Sequence, residues 1–460
     1  MIDIKLLVLI FLFPFVLCRR LRLDELKPAQ PLNSNADGDL VFVQPLWRHG
    51  DRSPLLHLPN DKNKPEDWLS GGGGFGQLSY VGMKQHVELG KKLRARYDGF
   101  ISPRYSSNEI YVRSTDVNRT IISAISNMIG FYDTNKNAVP DVDYPSKVDA
   151  WPAKFVPVPI HTVDSHSDFV TGCDYDQKHA ADVFKKLRRA PDYVKVAKDN
   201  EQTINQLKTV TGLKNFDLWE IYDIYDTLFI EKVNNVSWPD GMTEQLFNDT
   251  DRLADLVDDI ECGLNVSDSE GIHFETEIPK ITGGPLLSQM IGHMKFKRQC
   301  LNKKTNRTKE ENKLCAFFDP LKYYVFSAHD TTIEALFSTF GFQDTNWNTT
   351  GLPHYASCAA LELYVNANEY MVRLIYFSES YGPWDISASI TGCENGCTLD
   401  QFAERSKSYI VDDFPKYCDN FANMQVVSTF ILLLFIFAQI FTFRMKSSSQ
   451  VYGNRFVHEY

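Results

Sequence analysis

Three segments of the chain share one pattern: an apolar run rich in β-branched and aromatic residues, then charged or polar residues, then a helical run. The apolar runs are LVFVQPLW from Leu40, NEIYV from Asn108 and KYYVF from Lys322. After the second and third runs, apolar residues recur at helical spacing, at Ile121, Ala124, Ile125 and Met128 and at Ile333, Leu336, Phe337 and Phe340. Strand followed by helix, repeated, predicts an α/β fold with a mainly parallel sheet flanked by helices.

Charged residues follow directly on each predicted strand. They form the stretches RHGDRSP from Arg48, RSTD from Arg113 and SAHD from Ser327. The carboxyl ends of parallel strands meet at one edge of a sheet, and α/β sheets bind ligands at that edge. The three stretches are therefore expected to form one site.

The first two stretches contain the residue types that bind phosphate. Arginine forks match phosphate oxygens, so Arg48, Arg52 and Arg113 are candidates for holding a phosphoryl group. A histidine that lies between arginines has a lowered pKa, because like charges disfavour its protonation. In its neutral form His49 is then a candidate nucleophile.

The third stretch adds a donor and an acid. His329 can donate a hydrogen bond to a bound oxyanion, and Asp330 can protonate a leaving oxygen. A nucleophile, an acid and several cations around one phosphoryl group make up a phosphoryl-transfer site. Because arginines can neutralise the phosphoryl charge, the sequence predicts neither a metal ion nor a cofactor.

Between about residues 154 and 280 the pattern becomes helical and acidic, as in MTEQLFNDTDRLADLVDDIECGL. This segment predicts a helical cap inserted into an α/β core of about residues 38–153 and 281–420. The runs ALELYV and YMVRLIYF, joined by Asn366 to Glu369, predict a β-hairpin that extends the sheet. Pro45 lies within the first predicted strand, where it removes a ladder hydrogen bond and predicts a bulge or an early end.

Two apolar segments lie near the ends of the chain. Residues 1–18 have a basic start and a short apolar run, which is typical of a signal peptide. Residues 426–443 are long and apolar enough to span a bilayer, and Arg444 and Lys446 follow them. The sequence predicts a type I single-pass protein with a lumenal or extracellular catalytic domain and a cytoplasmic tail of residues 444–460, at the plasma membrane or in lysosomes and endosomes.

The composition fits that location. The net charge of −11 argues against nucleic-acid binding. If Cys18 leaves with the leader, eight of nine cysteines remain, an even number that predicts disulfides in an oxidising compartment. The glycosylation candidates are Asn235, Asn248, Asn265, Asn306 and Asn348. A sixth sequon, at Asn118, lies within the Arg113 motif and is expected to stay unused for steric reasons.

RHGDRSP, IYVRSTDVNRT and SAHDTT resemble the signatures of the histidine acid phosphatases, in particular the animal prostatic and lysosomal enzymes. The segments GFGQLSYVGMKQHVELGKKLRARY, VPVPIHTV and LPHYASC are similar to the segments between those signatures. The resemblance covers most of residues 38–420. It implies a two-domain fold and hydrolysis of phosphate monoesters through a phosphohistidine, with an acidic optimum. By motif, the site residues it implies are His49 as nucleophile, Asp330 as proton donor, and Arg48, Arg52, Arg113 and His329 as phosphoryl ligands.

The same resemblance implies the disulfides Cys173–Cys418 and Cys393–Cys397, and a homodimer. The family's usual partner for Cys358 would lie near Leu228, where this chain has no cysteine. Cys262 is the candidate replacement, and Cys300 with Cys315, which flank a lysine-rich loop, would complete the set.

Two other functions remain open. A catalytically inactive relative could serve as a cell-surface receptor, although every catalytic position is filled. An inositol-phosphate or phytase-like phosphatase would need extra lysines and arginines around its site, whereas the predicted cap is acidic.

Overall fold

The computed structural model describes residues 27–30, 32, 38–132, 137–169, 177–342, 353–378 and 382–418. Its strands there are β1 (Lys27–Pro28), β2 (Asp39–Arg48), β3 (Ile110–Thr115), β4 (Ile160–Val163), β5 (Tyr323–Ala328), β6 (Cys358–Asn366), β7 (Glu369–Phe377), β8 (Trp384–Asp385) and β9 (Cys397–Thr398). The helices are α1 (Tyr80–Arg96), α2 (Asn118–Tyr132), α3 (Lys178–Leu187), α4 (Pro191–Asp199), α5 (Glu201–Thr211), α6 (Ile221–Val233), α7 (Glu244–Glu261), α8 (Phe274–Thr282), α9 (Gly284–Asn302), α10 (Lys309–Phe318), α11 (Asp330–Thr339), α12 (Leu399–Arg405) and α13 (Phe414–Tyr417).

The predicted signal peptide, membrane span and tail lie outside the described residues. Among the residues that are described, no helix has the length and apolar character needed to cross a bilayer.

The described strands form one mixed sheet in the order β1-β8-β7-β6-β2-β5-β3-β4, with β9 pairing with β7. The strands β2, β5, β3 and β4 run parallel, while every other pair is antiparallel. The expectation of a mainly parallel sheet is therefore wrong outside these four strands, which form one side of the sheet with β4 at its edge. The three predicted charged stretches begin in the last residues of β2, β3 and β5, which belong to this parallel part.

Strand β2 continues through Pro45, so the predicted bulge at that residue is wrong. Pro45 pairs with Ala360 of β6, and the register is continuous from Phe42 to Trp47. The irregularity lies instead between Leu40 and Phe42. β2 is held by a neighbour on each side, so the loss of one N–H donor is tolerated.

The predicted hairpin is confirmed. β6 and β7 pair from Asn366 and Glu369 back to Cys358 and Phe377. The two turn residues, Ala367 and Asn368, have φ of 48° and 71°. Positive φ at both positions is what a two-residue turn of type I′ requires.

Alternate residues of β2 enter two different apolar layers. Val43 and Trp47 pack with Leu93 of α1 and Phe131 of α2. Phe42 and Leu46 face the other side, where they join the cluster that contains Leu287 of α9, Leu336 of α11 and Phe402 of α12. Burial on both faces explains why this strand shows a nearly continuous apolar run.

Helices α3 to α7 form the cap around a separate apolar cluster, which includes Leu187, Leu207, Ile224 and Leu253. The predicted cap boundary at residue 154 is too early, because β4 lies in that range and pairs with β3 in the sheet. The run IHTV was not predicted as a strand, because it is shorter than the other strand-like runs and lacks their pattern of apolar residues.

Two of the predicted disulfides are present, Cys300–Cys315 and Cys393–Cys397. Cys418 is also disulfide-bonded, and its predicted partner Cys173 lies outside the described residues. Cys262 and Cys358 are free thiols, so the prediction that they pair is wrong. Cys358 begins the buried strand β6, whereas Cys262 lies just beyond the end of α7 in the cap region.

Candidate active site

The first charged stretch turns away from β2 at the carboxyl edge of the sheet. The Arg48 amide donates to Ser357, and the His49 amide donates to Ala328 at the end of β5, both at 3.0 Å. Gly50 lies against α1, where a Cβ would come within 2.4 Å of the Gly82 carbonyl oxygen. Only glycine fits at that close approach, which fixes the direction in which His49 leaves the strand.

The His49 side chain is 1% exposed and oriented by its own loop. Its Nδ1 lies 2.8 Å from the Gly50 carbonyl oxygen. A carbonyl can only accept, so we assign the proton to Nδ1, and Nε2 carries the free lone pair. Burial, followed by the charges of Arg52 and Arg48, holds the pKa of His49 well below its ordinary value. The imidazole is therefore neutral in acidic solution.

Arg48 and Arg52 are buried beside His49 and held by acids. Arg48 Nη2 lies 2.8 Å from Asp330 Oδ2, and Nη1 donates to the Pro353 carbonyl at 2.6 Å. Arg52 donates to both oxygens of Asp226, at 2.8 and 3.1 Å. Asp226 belongs to α6, so the cap supplies the carboxylate that orients this arginine.

The structure does not bring Arg113 to His49, in contrast to the sequence prediction. Arg113 lies inside β3 and pairs with Asp168 and with Gln289 of α9. Arg119, in the first turn of α2, lies at the site instead. It acts on the pKa of His49, and its Nη2 lies 3.4 Å from Nδ1 of His329.

The three arginines of the site share one unusual feature. The Nε atoms of Arg48, Arg52 and Arg119 are buried and have no hydrogen-bond partner. A buried N–H without a partner costs about 1–3 kcal/mol, so such groups are rare unless a ligand completes them. Three unpaired donors from three cations around one histidine match the oxygens of a phosphoryl group.

His329 follows β5 and lies next to His49, with 5.6 Å between ring centroids. Its Nε2 is 3.1 Å from the Thr115 hydroxyl, and Arg119 faces its Nδ1. Burial, and then the charge of Arg119, lower the pKa of His329 to about 3. His329 is thus a neutral ring that can donate from one nitrogen.

Asp330 begins α11 and accepts several donors. Its Oδ2 receives the Tyr222 hydroxyl at 2.7 Å in addition to Arg48, and its Oδ1 receives the Thr331 amide at 2.9 Å. Burial alone would raise the pKa of Asp330, but Arg48 and Tyr222 outweigh it and hold the pKa below its ordinary value. The carboxyl group is therefore ionised before any ligand enters.

The cleft beside these residues has an aromatic wall. His49, Tyr355, Phe229 and Tyr225 follow one another with ring centroids 6.0, 6.4 and 5.9 Å apart. Tyr222 and His354 also line the cavity, whose volume is about 80 Å³. Arg48 contributes the single lysine or arginine side chain of this lining within the described residues.

Five of the six predicted residues lie together in the structure, namely Arg48, His49, Arg52, His329 and Asp330. The cap residues Tyr222 and Asp226 were not predicted. A signal for Arg119 was present, because VRSTDVNRT holds two arginines and the second starts the predicted helix. The cap residues carried no signal, since helix α6 is far from the motifs in sequence.

Comparisons with known proteins agree with this geometry. The model of the family described as the histidine phosphatase superfamily (branch 2) matches residues 39–377. Lysosomal acid phosphatase of Xenopus laevis is 30% identical over 394 residues, 85% of this chain and 82% of that protein. Human prostatic acid phosphatase is 30% identical over 391 residues, 83% of this chain and 88% of that protein.

Solved structures of bacterial phytases share the fold. Hafnia alvei phytase in complex with myo-inositol hexakis sulphate superposes with a TM-score of 0.55 at 14% identity, over 82% of this chain and 99% of that one. The phytase from Citrobacter braakii gives a TM-score of 0.52 at 14% identity, over 81% and 98%. At such low identity the likeness concerns the fold alone.

Proposed function

The chain belongs to branch 2 of the histidine phosphatase superfamily, and from that premise we propose that it is an acid phosphatase in which His49 is the nucleophile and Asp330 the proton donor. It hydrolyses phosphate monoesters through a covalent phosphohistidine. The observation that supports the assignment of the site is the set of three arginines, Arg48, Arg52 and Arg119, whose buried Nε donors are unpaired near a histidine of lowered pKa. Arg119 replaces Arg113 in the proposed set of phosphoryl ligands.

The first half-reaction follows from these positions. The phosphoryl oxygens accept hydrogen bonds from the arginines and from His329, and the charges of the arginines stabilise the transition state without a metal. Nε2 of His49 attacks phosphorus in line, so that the N–P bond forms as the bond to the alcohol oxygen breaks. Asp330 protonates that oxygen. In the second half-reaction water attacks phosphorus, gives a proton to Asp330 and releases inorganic phosphate from His49.

The binding of substrate prepares Asp330 for this role. In the free site the Arg48 charge lowers the pKa of Asp330. An incoming phosphoryl dianion competes for Arg48 and adds negative charge nearby, and both effects raise the pKa of the carboxyl group. Activity should accordingly fall as the pH rises and Asp330 in the complex loses its proton, while neutral His49 sustains activity at acidic pH.

Asp330→Asn is expected to lower kcat by about 100-fold on an alkyl phosphate, because general-acid catalysis typically contributes that much. On p-nitrophenyl phosphate, whose leaving group needs no proton, the loss should be much smaller. The measurement is kcat for a series of phosphate esters with leaving groups of different pKa. An equal loss on all esters would contradict the assignment of Asp330 as proton donor.

The phytase-like alternative receives no support from the lining of the cleft. A hexakisphosphate carries many negative charges, and the described walls are aromatic, with Asp226 beside Arg52. The inactive-receptor alternative predicts no turnover at all and is tested by the same assays.

We also propose that a single C-terminal span anchors the enzyme with its catalytic domain in the lumen or outside the cell. In support, four candidate sequon asparagines are exposed, Asn235, Asn248, Asn265 and Asn306. Asn118 is exposed too, at the start of α2 beside Arg119, and Asn348 lies outside the described residues. The homodimer remains a prediction from the resemblance.

Expression in an animal cell tests this placement. The full chain should stay in the membrane pellet after alkaline carbonate, and peptide N-glycosidase should lower its apparent mass. A chain that ends at residue 420 should be secreted with the same sensitivity to the glycosidase. Recovery of the full chain in the soluble fraction would contradict the anchor, and an unchanged mass would contradict the lumenal location.

A further inference from the structure

The proposed mechanism leaves the source of one proton open. Asp330 is ionised in the free site and must hold a proton when substrate is bound. It is 5% exposed, and both of its oxygens are occupied by donors from Arg48, Tyr222 and Thr331. Direct access from bulk water is therefore poor, and a nearby buried acid would be a better source.

Glu334 is such an acid. It lies four residues after Asp330 on α11, a spacing that puts two side chains on the same helix face with their Cβ atoms about 5–6 Å apart. It is 3% exposed, and its Oε1 is buried without a hydrogen-bond partner. A charged carboxylate with an unsatisfied oxygen is costly in such a place, so the protonated form is favoured.

The groups that face Glu334 reinforce this state. Asp258 and Asp259 of α7 and Asp330 of α11 all act on Glu334, and Arg48 is the cation among these groups. Burial raises the pKa of Asp258 well above its ordinary value too, so the neutral form is favoured at both acids. Burial, and then Asp258 and Asp330, raise the pKa of Glu334 well above its ordinary value. Burial raises the pKa of the Cys262 thiol, which follows α7, and Glu334 raises it further. That thiol is therefore protonated.

Asp330 faces a different set of groups. Arg48 of β2, Tyr222 of α6 and Arg52 all favour its ionised form. Two carboxyl groups one helical turn apart thus hold opposite protonation states in the free site. A phosphoryl dianion that enters the site engages the same arginines. Asp330 then no longer favours its ionised form.

We propose that Glu334 is the proton reserve of Asp330, a role that rests on the proposed function of Asp330 itself. When the phosphoryl group engages Arg48, the Glu334 proton passes to Asp330, directly or through one water, and Asp330 gives it to the leaving alcohol oxygen. Glu334 is then ionised and Asp330 unprotonated. In the second half-reaction the attacking water gives one proton to Asp330, which returns it to Glu334. Protons balance over the cycle, and Glu334 acts through Asp330 as a positioning residue.

The test is Glu334→Gln, which keeps the volume and removes the transferable proton. On an alkyl phosphate we expect kcat to fall about tenfold, less than the roughly 100-fold or more of a direct general acid because Glu334 acts through Asp330. KM should stay unchanged, and the basic limb of the kcat profile should move about one pH unit lower. On p-nitrophenyl phosphate kcat should stay unchanged. Glu334→Asp, which retains an acid, should recover part of the loss on the alkyl ester.

Glu231→Gln is the matched control. Glu231 is a fully buried glutamate of the cap with one unpaired oxygen, and burial raises its pKa to about 9, but it bonds Asn63 rather than a site residue. The Glu231→Gln variant should leave the dependence of kcat on the leaving group unchanged. A Glu334→Gln loss that is equal on both esters, or an unchanged kcat on the alkyl ester, would overturn the proposal. If Glu334→Gln does not fold, Glu334→Asp decides: an equal loss on both esters overturns the proposal, and a loss on the alkyl ester alone supports it.

The double variant separates this proposal from the proposed function. In the Asp330→Asn background, Glu334→Gln should cause no further loss, because the pathway already ends at Asp330. If the losses in kcat of the two single variants add in the double variant, the proposed proton transfer from Glu334 to Asp330 is wrong. If Asp330→Asn itself shows no leaving-group dependence, the assignment of Asp330 fails first, independently of Glu334.

Discussion

Replacement of His49 by alanine is expected to lower kcat on p-nitrophenyl phosphate by at least about 10⁴-fold, since loss of a covalent nucleophile commonly costs that much or more. The reason lies in the geometry of the ring. The Gly50 carbonyl fixes Nδ1 as the protonated nitrogen and leaves Nε2 free to attack, and burial, followed by the charges of Arg52 and Arg48, holds the pKa of the ring well below its ordinary value. Wild-type activity should persist in EDTA.

His57→Ala provides the control, because His57 is exposed on the same loop region and faces Phe75 rather than the site. It should retain wild-type kinetics. Rapid acid-free quenching with ³²P-labelled substrate should trap an alkali-stable phosphoenzyme in the wild type and none in His49→Ala. Activity that survives in His49→Ala and disappears in EDTA would place the chemistry at another site.

The predicted site residues that the structure brings together are those at strand ends. Arg48, His49, His329 and Asp330 each follow a buried strand of the parallel part of the sheet, and the register of β2 with β5 places Arg48 opposite Ala328. An apolar run that ends in charged residues indicates both where the strand lies in the chain and which of its ends is at the site. That local information is enough to bring the two stretches together at one edge.

The residues that were missed depend on contacts between distant segments. Tyr222 and Asp226 lie on α6, and only the packing of that helix against the site gives them Asp330 and Arg52 as partners. Glu334 lies on α11, where every residue from Thr332 to Thr339 is buried, so no amphipathic pattern marks its position. The sequence also predicted too few antiparallel strands. The strands β8 and β9 are two residues long, which is too short for a periodic pattern of apolar residues.

Arg113 and Arg119 show how local geometry decides between two neighbours of the same type. Arg113 precedes the end of β3 and shares a strand face with Tyr111, which lies toward α9 and away from α2. Arg119 follows the end of β3, so its side chain begins at the carboxyl edge of the sheet. A single-sequence motif does not distinguish the two positions, whereas the alternation of side chains along the strand does.

The two arginines are expected to separate activity from stability. Arg119→Ala should lower kcat/KM by about 10³-fold, in the range found when an arginine that stabilises a phosphoryl transition state is removed. It should not lower the melting temperature, because the half-buried Arg119 lies near like charges: burial, and then Arg52, already lower its pKa to about 10. Kinetics on p-nitrophenyl phosphate and thermal unfolding of the same preparations measure both effects.

Arg113→Ala should do the reverse, which makes it the matched control. Its partner Asp168 is 7% exposed, and removal of the arginine leaves that carboxylate buried and without its main cation. The free energy of unfolding should fall by about 3 kcal/mol, at the low end of the cost of breaking a buried ion pair, while kcat/KM changes little. A large kinetic loss in Arg113→Ala with a small one in Arg119→Ala would restore the motif-based assignment and contradict the placement of Arg119 at the phosphoryl group. Two equal kinetic losses would mean that the pair Arg113–Asp168 supports the site through the end of β3, and that the catalytic edge extends further along the strand than its hydrogen bonds indicate.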